Sequence, residues 1–203
     1  LEMAYRSNPD SIAETLDRVT KTMLGQIDNL TQIANEFSNF AKMPRAKNSA
    51  FIINDLISEV FNLFLLGDGK DVDMHIEMPR EKYTVFADRN QLVSVFNNLL
   101  KNATEAIPSD RQGKIMVSLY QDANMVGVRV SDNGVGIPKD KREKVFVPNF
   151  TTKSSGTGLG LAISKNIVES VKGEIYFRTI VGEGTDFHVR LPIVPVETFE
   201  EVS

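Results

Sequence analysis

Asp132-Asn-Gly-Val-Gly-Ile-Pro138, followed downstream by Gly156-Thr-Gly-Leu-Gly-Leu161, decides how this chain is read. The first segment ends a β-branched run, Val126 to Ser131. The second opens a helical pattern that runs from Gly158 to Val171 and stops at Lys172-Gly173. Closely spaced glycines let backbone N–H groups approach an anion, and a helix N-terminus adds partial positive charge, so phosphate suits the second segment. Either segment alone also serves an ordinary turn. Two common nucleotide motifs are excluded by the residues present. Gly156-x-Gly158-x-Gly160 lacks the Lys-Ser/Thr ending of a P-loop, and Leu161 stands where a Rossmann fingerprint needs its last glycine.

Upstream, Asn98-Leu-Leu-Lys-Asn102-Ala-Thr-Glu105 places Asn98, Asn102 and Glu105 at helical spacings of four and three, on one face. Amide and carboxylate oxygens gathered so suit magnesium, which bridges a few protein oxygens to nucleotide phosphates and keeps several waters. Around these segments β-branched content and turn residues predict strands at Ala50-Ile53, Asp73-Met78, Tyr83-Ala87, Lys114-Gln121, Val126-Ser131, Glu174-Arg178 and Asp186-Leu191. Helices are predicted at Asn54-Leu66, at Asp88-Ile107 with Asp88 and Gln91 at capping-box spacing, and at Gly158-Val171. The mixture reads as α+β, a two-layer α/β sandwich with helices gathered on one face of a mixed sheet.

The chain has 203 residues, 41% of them hydrophobic and 25% charged, enough for one sizeable core and against disorder. There is no cysteine, which excludes disulfides, thiolate-zinc sites and a cysteine nucleophile. The two histidines, His75 and His188, exclude a histidine metal cluster. Lys plus Arg number 23 against 27 Asp plus Glu, a net charge of -4, so no nucleic-acid partner is expected. The longest apolar run, Val60 to Leu66 broken by Asn62, falls far short of the ~20 residues a bilayer crossing needs, and no membrane contact is expected of these residues. Because the chain opens Leu1-Glu2, we expect a longer cytoplasmic parent, with any membrane anchor upstream.

From Asp10 to Ala41 there is no proline and only Gly25 among glycines, while two apolar lines repeat every seven residues. Leu16, Met23, Leu30 and Phe37 form one; Ile12, Val19, Ile33 and Phe40 form the other, with Gln26 in the gap. One helix is predicted, started by Pro9-Asp10-Ser11 and stopped by Pro44. A core helix of the same domain is the plain alternative. A helix of ~30 residues spans ~45 Å, however, which suits a helical hairpin or bundle completed by a second chain.

Taken together, the segments resemble the ATP-binding domain of sensor histidine kinases, within the larger group that includes type II topoisomerase, MutL and heat-shock chaperone ATPases. Asn98 to Glu105 is similar to the asparagine box and Asp132 to Pro138 to the first glycine box. Phe146-Val-Pro-Asn-Phe-Thr-Thr-Lys153 is similar to the phenylalanine box, Gly156 to Leu161 to the second glycine box, and Gly182-Glu-Gly-Thr-Asp-Phe187 to the last. Five boxes in one order are specific. The resemblance covers roughly residues 48 to 192 and implies a sandwich of about five strands and three helices. The helix ending Asn35-Glu-Phe-Ser-Asn-Phe-Ala-Lys-Met-Pro44 resembles the second helix of a dimerisation and phosphoacceptor hairpin, most of all in the nitrogen-regulation branch. The implied division is 1–46 for this helix, 47–195 for the ATP-binding domain and 196–203 for a tail.

The resemblance implies ATP and Mg2+ as ligands, a response regulator receiver domain as partner and a homodimer formed through the hairpin. It makes Asp132 the reader of the adenine amino group and Asn102 a magnesium ligand, with Asn98 helping directly or through water. Gly156, Gly158, Leu159 and Gly160 would offer backbone donors to the phosphates, Lys153 would reach toward the terminal ones, and Thr185 would close the adenine pocket, while Gly134, Gly136, Ile137 and Leu161 would also belong to the nucleotide site. Lys139 to Thr157 would form a lid, ordered only with nucleotide bound. The basic residues Lys139, Lys141, Arg142 and Lys144 at its start read as a solvated charge run, and Phe146 and Phe150 as pins holding the lid to the domain.

The acceptor histidine lies, in the family, on the first helix of the hairpin and precedes an acidic residue. Neither His75 nor His188 matches; both fall in predicted strands and read as structural, so no catalytic acceptor is expected here. We therefore expect Mg-ATP binding without autophosphorylation. The alternative is an ATPase that couples nucleotide state to dimer conformation. Such ATPases carry a water-activating glutamate one turn before the magnesium asparagine, where this chain has Asn98, and an amide cannot take that proton.

Overall fold

The computed structural model describes residues 14–27, 31, 46–67, 72–151 and 157–195. Residues 14–27 are helical, and Leu16, Val19 and Met23 of the predicted seam are exposed on that helix, with Leu24 and Ile27. Ile12, Leu30, Ile33, Phe37 and Phe40 lie outside the described residues, as do the tail from 196 onward and the lid residues 152–156. This helix and the α/β domain belong to separate units.

The α/β domain runs β1 (Ser49–Ile52), α1 (Ile53–Leu66), β2 (Val72–Glu77), β3 (Thr84–Ala87), α2 (Arg89–Ala106), β4 (Gly113–Asp122), β5 (Met125–Asp132), a 3-10 turn (Lys139–Lys144), α3 (Gly160–Ser170), β6 (Glu174–Ile180) and β7 (Gly184–Pro192). Five strands form one mixed sheet in the order β2-β4-β5-β7-β6, in which only β2 and β4 pair in parallel. β1 and β3 form a separate antiparallel pair, Ser49 opposite Ala87.

Strand alternation decides which face the helices cover. Ile115, Val117 and Leu119 of β4, Val126, Val128 and Val130 of β5 and Val189 and Leu191 of β7 are buried. They pack with Leu56 and Val60 of α1 and with Leu92, Val95, Phe96, Leu99 and Ala103 of α2. The α2 positions recur at three and four, the stripe of a helix with one buried face. Asp88 starts α2 as predicted: its side chain accepts from the N–H groups of Asn90 and Gln91 at 3.0 and 3.1 Å.

Most element ends fall one or two residues from the sequence reading, β6 and β7 reaching further to take in Thr179 and Thr185, and two of the shifts share one cause. Ile53 begins α1 rather than ending β1, and Tyr83 lies ahead of β3. The buried Asn54 explains both: its Nδ2 donates to Glu81 O at 3.0 Å and its Oδ1 accepts from Tyr83 N at 3.0 Å, so of the next rung only the Ile53 N–H to Tyr83 O bond, at 3.0 Å, is made by backbone and the amide takes the other half.

Both histidines lie in strands. His75 in β2 is exposed and pairs with Asp73 at 2.9 Å. His188 in β7 is 7% exposed, stacks on Tyr176 with centroids 4.7 Å apart, and places Nδ1 3.0 Å from the Tyr120 hydroxyl. Burial holds the His188 pKa below its ordinary value, against the pull of Asp186 and together with the charges of Arg178 and Arg129. Burial and the Tyr176 hydroxyl push the Tyr120 phenol up to about 12.

Candidate nucleotide-binding site

The first glycine-rich segment follows directly from β5, whose last residue, Asp132, is paired with Thr185 near the start of β7. Asp132 is 8% exposed and Thr185 4%. Asp132 Oδ1 accepts from Gly134 N at 2.8 Å and from Thr185 N at 3.2 Å. The carboxylate therefore shapes its own turn as well as facing the helices, and the Gly134 N–H is held within that turn. Val135 N donates to Ala106 O at 3.0 Å, tying the segment to the end of α2. Gly136 has φ +70°, and a Cβ there would overlap the Ile180 carbonyl, so both conformation and closeness require glycine. Ile137 packs against the core and donates its N–H to Thr179 Oγ1 at 2.9 Å.

The second glycine-rich segment meets α2. Gly160 is the first residue of α3, and Leu159 before it is buried at the N-cap position. No side chain caps α3 and no acid lies in its first turn, in contrast to α2 with its Asp88 cap. An uncapped start directs backbone donors and positive partial charge outward, which suits an anion. Gly160 lies against Asn98, leaving no room for a Cβ beside Asn98 Oδ1. Asn98 Nδ2 donates to Ser164 Oγ at 3.0 Å, Ser164 Oγ donates to Gly160 O at 2.9 Å, and Asn102 Nδ2 donates to Asn98 Oδ1 at 3.3 Å. The two helices are thus linked through Asn98. Gly158, with φ +69°, backs onto Asn149 and Phe150, and Leu161 packs against the core. Lys153 and Gly156 lie outside the described residues.

Asn98 and Asn102, one turn apart, offer neutral amide oxygens, while Glu105 is exposed with Lys101 at 4.0 Å. Among the described residues no three acidic or histidine side chains gather around a common centre. Two neutral oxygens beside a helix start suit a magnesium ion that arrives with a polyphosphate and has its charge balanced there. The donor set fits such an ion.

The basic stretch after Pro138 is not uniformly solvated, which corrects the sequence reading at one residue. Arg142 is half-buried, donating from Nε to Ile137 O at 3.1 Å and from Nη2 to Thr179 O at 3.3 Å. Phe146 packs with Phe177 and Phe187, centroids 6.0 and 6.5 Å away, under Lys165. Sequence reasoning did not single out Ser164, Thr179 or the anchoring of Arg142. Ser164 lies one turn after Gly160 on α3 and was open to detection; nothing local marks Thr179.

Comparison with known proteins agrees with this arrangement. The family model described as histidine kinase-, DNA gyrase B-, and HSP90-like ATPase matches residues 87–195. The signal transduction histidine-protein kinase AtoS of Escherichia coli (strain K12) is 33% identical over 174 residues, 85% of this chain and 28% of its own length. The chain thus spans under a third of that curated relative. The catalytic domain of histidine kinase ThkA is 36% identical with a TM-score of 0.65, over 72% of this chain and 96% of that one. ThkA in complex with the response regulator protein TrrA is 30% identical with a TM-score of 0.70, over 95% of this chain and 55% of that one. A five-stranded sheet under three helices, with its glycine-rich turns at one end and relatives of this kind, means that the chain belongs to the histidine kinase-, DNA gyrase B-, and HSP90-like ATPase family, as the C-terminal ATP-binding domain of a sensor histidine kinase.

Proposed function

We propose that residues 47–195 bind ATP with magnesium and present its γ-phosphoryl group to a histidine of the parent protein, for relay to an aspartate of a response regulator receiver domain. The observation that carries this reading is the juxtaposition of Asn98 with Gly160, which sets the amide-bearing face of α2 beside the uncapped start of α3. Phosphoryl transfer asks the protein mainly for positioning and charge stabilisation, and these elements supply both. In this reading magnesium neutralises phosphate charge, Asn102 and Asn98 hold it, and Gly156, Gly158, Leu159, Gly160 and Leu161 hold the phosphates with Lys153. Asp132 takes the base, and Gly134, Gly136, Ile137 and Thr185 wall its pocket. The TrrA complex of ThkA supports a receiver domain as the partner.

Residues 1–46 act as the second helix of a dimerisation hairpin, whose seam includes the exposed Leu16, Val19 and Met23. Among the described residues no helix is long and apolar enough to cross a membrane; the cytoplasmic side is proposed for the domain on the ground of its ATP substrate and response regulator partner in this reading. Neither histidine suits the acceptor role: His188 is buried, and His75 is paired with Asp73 in a strand. The Asn98 amide, bonded to Ser164 and Asn102, provides no general base for hydrolysis.

Incubation with Mg-ATP labelled at the γ-phosphate tests the reading. Saturable nucleotide retention without covalent label or phosphate release is the expected result. Steady phosphate release would point to the conformational ATPase instead, and stable covalent label would mean that the chain carries an acceptor after all.

A further inference from the structure

Asp132, Thr185 and Thr179 lie directly opposite one another across three neighbouring strands, Asp132 with Thr185 between β5 and β7 and Thr185 with Thr179 between β7 and β6. At the end of this row the Thr179 hydroxyl has three partners. It lies 2.9 Å from Gly184 O, receives the Ile137 N–H at 2.9 Å, and lies 3.1 Å from Thr185 Oγ1.

A threonine hydroxyl has one proton and two acceptor sites, whereas a carbonyl oxygen only accepts. The short distance to Gly184 O therefore requires the Thr179 proton to point there. If that proton went to Thr185 instead, two acceptor oxygens would face each other at 2.9 Å. The Ile137 N–H occupies one acceptor site of Thr179, so Thr185 must donate into the other. The Thr185 proton is thereby committed, and Thr185 Oγ1 keeps only lone pairs for any further partner. Among the described residues no other group donates to it.

We propose that Thr179 is a positioning residue that sets the purine specificity of this site by fixing the direction of the Thr185 hydroxyl. Side by side, the Asp132 carboxylate and the oriented Thr185 oxygen make an acceptor-only rim, matched by the two N–H donors of a 6-aminopurine directly or through one donating water. A 6-oxopurine brings a carbonyl oxygen to that rim. Freed from Thr179, the Thr185 hydroxyl can rotate and donate to that carbonyl, so the discrimination weakens. The inference rests on the reading of this site as an ATP pocket.

ATP and ITP, which differ in the 6-substituent, are the probes, with their magnesium complexes titrated against the whole chain by calorimetry. The ITP-to-ATP ratio of Kd is expected to fall by about five- to tenfold in Thr179→Val, the loss of roughly one hydrogen bond. Thr179→Ser, which keeps the hydroxyl, is expected to restore the ratio. Thr185→Val should lower it too, and adding Thr179→Val to Thr185→Val should lower it no further. An unchanged ratio in a folded Thr179→Val, or no rescue by serine, overturns the role of Thr179. Should Thr179→Val not fold, an unchanged ratio in Thr185→Val overturns it equally. A wild-type chain that binds ATP and ITP alike would overturn the base-reading of Asp132 itself, and one that binds neither would overturn the ATP pocket.

Discussion

Gly160 lies so close to Asn98 that a single methyl group on the glycine would overlap the asparagine Oδ1. The same asparagine reaches one turn further along α3, where its Nδ2 donates to Ser164 Oγ at 3.0 Å. One side chain thus sets the distance between the face of α2 that carries Asn98 and Asn102 and the start of α3.

Gly160→Ala should separate these helices. Overpacking of this kind costs about 1–3 kcal/mol, and Asn98 cannot move without leaving Ser164. We expect a lower melting temperature and about tenfold weaker Mg-ATP binding, the latter equivalent to ~1.4 kcal/mol. An alanine variant that binds as the wild type does would remove the gap between the helices from the account of affinity.

Asn102→Ala tests the metal. ATP affinity measured with and without magnesium should become nearly equal in the variant, while binding in the absence of the ion stays close to wild type. A magnesium effect that survives the substitution would assign the ion to other oxygens.

Asp88 carries a pH-dependent contribution to stability. Burial opposes its ionised form, but the N–H groups of Lys47, Gln91 and Asn90, with the Lys47 charge, outweigh that and hold its pKa below the ordinary carboxylate value. A depressed folded-state pKa stabilises the fold above the unfolded value near ~3.9 and ceases to do so as pH falls through the folded value. Asp88→Ala should cost about 1 kcal/mol at pH 7. Urea denaturation should show that difference shrinking between about pH 4 and pH 2.

His188 acts at higher pH. Its pKa is depressed by burial, so the unfolded chain takes the proton first, and stability is lost as pH falls below the unfolded value of ~6.5. Its Nε2 is buried without a hydrogen-bond partner among the described residues. His188→Phe keeps the stack on Tyr176 and should reduce the stability loss between pH 7 and pH 5. An equal loss in both proteins would trace it to other groups.

What the sequence determined was local in origin. Alternating β-branched runs marked all seven strands, and Asp88 and the Lys172-Gly173 stop marked helix ends where the structure has them. Five boxes in order named the sandwich and its family. Each of these signals lies within a few residues, where backbone geometry alone links pattern to conformation. The hydrogen bonds that finish the site do not. Asn98 meets Ser164 across 66 residues and Ile137 meets Thr179 across 42. Those meetings depend on the strand order β2-β4-β5-β7-β6 and on the register that sets Thr179, Thr185 and Asp132 in one row. Arg142 reads as one more solvated cation until β6 brings the Thr179 carbonyl to it. Pairing across strands is a property of the folded sheet, and so the direction of the Thr185 proton was decided by tertiary structure alone.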